Sequence, residues 1–86
     1  MPELCRFFGI VIAMFYDDHA PPHFHVRYGR FRAIVAIETL AVIEGSLSPR
    51  VRGLVTEWAA LHQDELRQAW QAARRHEPLL PIAPLE

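Results

Sequence analysis

The chain contains no lysine and a single cysteine, Cys5. One thiol cannot close an internal disulfide, and Cys5 stands in no Cys-x-x-Cys or Cys/His spacing of a structural zinc site. A disulfide scaffold and a zinc finger are therefore excluded, and a reducing compartment fits. No run approaches the roughly 18 apolar residues of a membrane span. The chain also lacks the basic and then apolar opening of an export signal, so we expect a cytoplasmic protein with no membrane partner. Glycine-rich phosphate loops are missing, and no serine stands in a nucleophile-elbow context. A formal net charge of −1 gives nucleic acid no general attraction.

What is abundant is apolar surface: 51% of the 86 residues are hydrophobic. A chain of this size forms one domain and buries only about 60–65% of its unfolded surface, so the apolar surplus points to a partner subunit and to homo-oligomers. The stretch 7–16 is β-rich and apolar on both alternating sets, which predicts one central strand covered on both faces. Asp17 to Pro22 breaks it, because the Pro21-Pro22 pair cannot supply two ladder donors. The stretch 23–28 alternates, with Phe24, Val26 and Tyr28 on one side and His23, His25 and Arg27 on the other. Gly29-Arg30 predicts a tight turn into a return strand over 31–38, and 41–44 predicts a further edge strand.

Ser48 and Pro49 read as N-cap and first helical position. From there a stripe of Val51, Leu54, Val55, Trp58, His62, Leu66, Ala69 and Ala73 predicts one helix running to about His76. The tail 77–86, with three prolines among apolar residues, is extended and should lie in a groove of this chain or of another. The predicted architecture is α+β: an antiparallel sheet of three to four strands on one long C-terminal helix, residues 1–76 forming the domain and 77–86 the tail.

Three groups of residues carry candidate chemistry. His19, His23 and His25 form an H-x-x-x-H-x-H string suited to a divalent transition metal such as zinc or nickel. The plainer alternative is that these rings cap loop carbonyls and stack on Pro21 and Pro22. His62 lies mid-stripe on the helix, and Glu65 three positions on makes an acid–imidazole pair, a candidate catalytic couple or a structural hydrogen bond. Arg27, Arg30 and Arg32 with Tyr28 make a mixed basic and aromatic surface of the kind that grips single-stranded RNA. Solvated hairpin-tip arginines in a GC-rich genome are the plainer account of that set. Asp17 and Asp18, adjacent in an extended chain, diverge and are expected to cap the loop. If Phe24 and Val26 face the helix, His23 and His25 point away from His62 and are offered to a partner, an ion or RNA.

The run from Phe15 to Gly29 with its P-P-H-F-H-V string, the stretch 40–47, and Glu57-Trp58 to Leu66 with Trp70 together resemble the bacterial domain-of-unknown-function 4160 family. That resemblance implies a small cytoplasmic protein of a toxin–antitoxin-type module, acting through a partner protein encoded by a neighbouring gene, and the Arg27, Arg30, Arg32 and Tyr28 surface keeps RNA open as a further target. It supplies no catalytic residues, and the metal-dependent alternative stays open beside it.

Overall fold

The computed structural model describes residues 2–86. Five strands form one antiparallel meander in chain order: β1 (Glu3–Phe7), β2 (Ile10–Ala13), β3 (His23–Tyr28), β4 (Phe31–Ala36) and β5 (Val42–Gly45). Two helices follow, α1 (Pro49–Leu61) and α2 (Gln63–Arg74). The α+β class stands, with five strands and two helices in place of three to four strands and one helix.

The expected central strand over 7–16 is two strands and a turn. Phe7 pairs with Ile10, and between them Phe8 and Gly9 both take positive φ, at 50° and 80°. That pattern belongs to a two-residue hairpin turn whose twist matches the strands it joins. Glycine takes such a conformation freely, whereas Phe8 does so at a steric cost, which is why Phe-Gly does not advertise a turn as Asn-Gly would. The second hairpin turn falls at Gly29-Arg30 as expected, with Tyr28 opposite Phe31. At the far edge Gly45 is obligatory. A Cβ there would lie 2.1 Å from the Arg32 carbonyl oxygen, so only a bare backbone lets β5 approach β4.

One face of the sheet packs on the helices. Ile10, Ile12, Phe24, Val26 and Val35 meet Val51, Val55, Trp58 and Leu66 in a single core, and the indole of Trp58 lies 5.6 Å from Phe7 and 6.0 Å from Phe24. Ser48 Oγ accepts from the Val51 amide, the N-cap bond the sequence calls for, with Pro49 in the first turn.

The helical stripe is real, but the helix breaks at His62, whose backbone (φ −122°, ψ 24°) leaves the α region. The cause is tertiary. Gln63 Nε2 donates to the carbonyls of Ile37 (2.7 Å) and Glu38 (3.1 Å), and Arg67 forks onto Glu38 at 2.8 and 3.0 Å. The loop after β4 thus seizes the start of α2, through partners some 25 residues or more away that periodicity cannot show. Helix α2 ends at Arg74 rather than His76, where φ turns positive at 55°.

The tail closes on its own chain. Ile82 is buried, its amide donates to the Leu4 carbonyl, and Trp58 Nε1 donates to the Ala83 carbonyl. One ground for expecting a partner protein is therefore met within this chain. Cys5 is buried beside this contact, and burial pushes its thiol pKa up.

Candidate metal centre

The loop between β2 and β3 leaves the sheet after Ala13 and returns through Pro21-Pro22, with the Ala20–Pro21 peptide bond cis. Its first half is tied to the end of α2, since the Tyr16 ring stacks on His76 at 6.0 Å and Asp17 lies 3.6 Å from His76 Nε2. Asp17 and Asp18 diverge as expected, and Asp18 turns inward. Its Oδ2 lies 3.1 Å from His23 Nε2 and 2.8 Å from His25 Nε2.

His23 and His25 share a face of β3 because they are two residues apart on a strand, and their rings stand 5.2 Å apart. His25 is packed edge-on by Phe15 at 4.4 Å and keeps about a quarter of its side chain exposed. His23 is covered: the Trp70 indole of α2 lies 5.2 Å away, and only 7% of the residue remains accessible. The expectation that both rings are offered outward holds for His25 and not for His23. The break at His62 matters here, for it sets the course of the helix that brings Trp70 to the strand entry.

Candidate ligand atoms from Asp18, His23 and His25 all lie within 4.8 Å of one another. His19 is exposed and stands outside this group, so Asp18 takes the place that histidine spacing gives to His19. A sequence signal for it exists: the two prolines fold the loop back, so a carboxylate five residues before His23 faces the strand that follows.

The hydrogen bonding of His23 constrains what the cluster can hold. Nδ1 lies 2.8 Å from the Pro21 carbonyl oxygen, which can only accept, so Nδ1 carries a proton. In the neutral ring Nε2 then presents a lone pair to Asp18, an acceptor facing an acceptor. A proton at this contact, carried by the ring or by the carboxyl, relieves this, and so does a cation between Nε2 and the carboxylate. An imidazole whose other N–H is fixed by a backbone carbonyl is the usual outer support of a metal-bound histidine. Two imidazoles and a carboxylate suit zinc, nickel or iron, and leave further coordination positions for water or a ligand.

The His62–Glu65 pair is elsewhere. His62 Nδ1 lies 2.5 Å from Glu65 Oε1, and its ring leans on Trp58 at 5.4 Å. Neither residue belongs to the Asp18 cluster. The RNA candidates also separate. Arg27 and Arg32 lie directly opposite each other on the outer sheet face, Arg30 sits at the hairpin tip over the Phe31 ring at 5.7 Å, and Tyr28 packs towards the core on the other face.

The family model described as a domain of unknown function (DUF4160) matches residues 9–71, nearly three quarters of the chain. The chain belongs to the DUF4160 family. The matched span takes in the whole Asp18/His23/His25 cluster and Trp70, while β1 and the tail fall outside it. No curated protein and no solved structure matches the chain. Among the described residues no helix is long and apolar enough to cross a membrane.

Proposed function

We propose that this DUF4160 protein is a divalent transition-metal module, taking zinc or nickel on Asp18 Oδ2, His23 Nε2 and His25 Nε2. The observation that carries the reading is the donor set itself: ligand atoms within 4.8 Å of one another, with His23 Nε2 turned towards Asp18 Oδ2 and its Nδ1 held at the Pro21 carbonyl. Three protein ligands are one fewer than a closed structural zinc site uses and match the number that catalytic sites keep. Asp18, His23 and His25 would hold the cation, whose bound water would supply the chemistry a metal-dependent hydrolase draws on.

The test is zinc binding by tag-free full-length protein, followed by calorimetry and elemental analysis. One zinc per chain is expected, together with a melting temperature that rises with zinc, since a ligand of the folded state at about 100 times its Kd adds about 2.7 kcal/mol. Asp18→Asn should remove the site, and His19→Ala should leave it. No bound metal and no thermal shift, or equal loss in both variants, would overturn the reading.

A further inference from the structure

The sheet face turned away from the helices carries side chains in rows set by the strand register. Arg6, Val11, Arg27 and Arg32 fall in one row across four strands, and Glu3, Ala13, His25, Ile34 and Glu44 fall in the next. Arg6 is neutralised by Glu3 at 2.7 Å. Arg27 and Arg32 are cross-strand partners, and among the described residues arginine ion pairs form only at Arg6, Arg67 and Arg75. Like charges directly opposite destabilise a ladder, and an anion bound between them removes that penalty. Beside the pair lies a depression of about 350 Å³ floored by Val11, Ala13 and Ile34, with His25 set between the last two and Phe15 as a wall; Glu44 stands among its lining residues as the opposing charge.

We propose that this depression binds a small organic anion, its phosphate or carboxylate held between Arg27 and Arg32 and its apolar body lying over Val11, Ala13 and Ile34 against Phe15. Two guanidinium forks suit an acid group with several acceptor oxygens. A nucleic-acid strand is the poorer occupant. The next arginine of the row is already paired, Glu44 opposes a continuing phosphate chain, and the Phe15 ring stands perpendicular to His25, so no run of stacking platforms follows the arginines. His25 borders both this depression and the Asp18 cluster, but recognition stands on the arginine pair and the apolar residues and needs no metal at Asp18, His23 and His25.

Amide chemical-shift titration of the full chain in EDTA tests it, with phenyl phosphate, benzoate, phenol and inorganic phosphate as probes. Saturable shifts at Val11, Ala13, Arg27 and Ile34 are expected with an aryl acid, and roughly tenfold weaker binding of phenol and of inorganic phosphate, each of which lacks half of the recognition. Arg27→Gln/Arg32→Gln should weaken the aryl acid by roughly tenfold or more. If the double variant does not fold, Arg32→Gln, at an exposed position, carries the same test. No saturable shift with either aryl acid, or unchanged affinity in the folded variant, would overturn the inference. So would an oligouridine that shifts the same amides more tightly and loses affinity steeply with salt.

Discussion

At the strand entry one carboxylate, Asp18, gathers two imidazoles from five and seven residues further along the chain, and a helix from the other half of the molecule covers one of them. At the helix break His62 meets Glu65 three residues on, with half of the Glu65 side chain in solvent. Both are histidine–carboxylate contacts and both lean on a tryptophan, Trp70 for His23 and Trp58 for His62. They differ in what holds them. A helix places neighbours at i and i+3 whatever their use, whereas the Asp18 group exists only because loop, strand and helix converge. The proposed metal site rests on convergence of that kind, and the His62–Glu65 contact asks for nothing beyond helix geometry.

The two contacts should differ most in metal affinity. Removing one of three ligands, as in His23→Ala, should weaken zinc by roughly 100-fold or more, while His62→Ala leaves Kd within about twofold. Isothermal titration of both variants measures this, and equal losses would erase the distinction. The tryptophans sharpen it next. Trp58→Phe empties core volume and frees the Ala83 carbonyl, a loss of about 1–3 kcal/mol by urea midpoint with zinc affinity unchanged. Trp70→Phe exposes His23 and should weaken zinc roughly threefold to tenfold, because the apolar cover sets the dielectric around the ligand. A Trp58 variant that changed zinc affinity as much would join the two regions into one site.

The smallest effect concerns the ion pair that fixes the break between the helices. Arg67 holds the Glu38 carboxyl below the usual carboxylate range. A carboxylate whose folded pKa is depressed contributes stability above its unfolded pKa, about 4.3, and loses that contribution as pH falls through the folded value. Glu38→Gln should therefore be slightly less stable than the natural chain at pH 7, with the gap closing below about pH 4. Urea midpoints at the two pH values read this directly, and a gap that widened in acid would contradict the sign. The pair is open to solvent, so the effect is small.

The sequence makes the hairpin of β3 and β4, the helix start at Ser48 and the apolar stripe legible, because each is a local pattern: alternation, a cap, a 3.6-residue period. It does not make the Phe8-Gly9 turn legible, since Phe8 is an unusual residue for positive φ. Nor does it show the break at His62, imposed by Glu38 and the Ile37 carbonyl from outside the helix. At the candidate site the two strand histidines are readable from spacing alone. Asp18 is signalled only indirectly, through the proline pair that folds the loop back, and Trp70 is not legible, because its path follows from the break.

The most direct test of the account is the protonation pattern of the histidine rings, read from long-range ¹H–¹⁵N correlations on labelled full-length protein before and after one equivalent of zinc. Zinc-induced shifts are expected at the Nε2 of His23 and His25, with Nδ1 of His23 still carrying its proton and no change at His19 or His62. Coordination through Nδ1 of His23, or zinc-induced shifts at His19 or His62 in place of the strand pair, would contradict it.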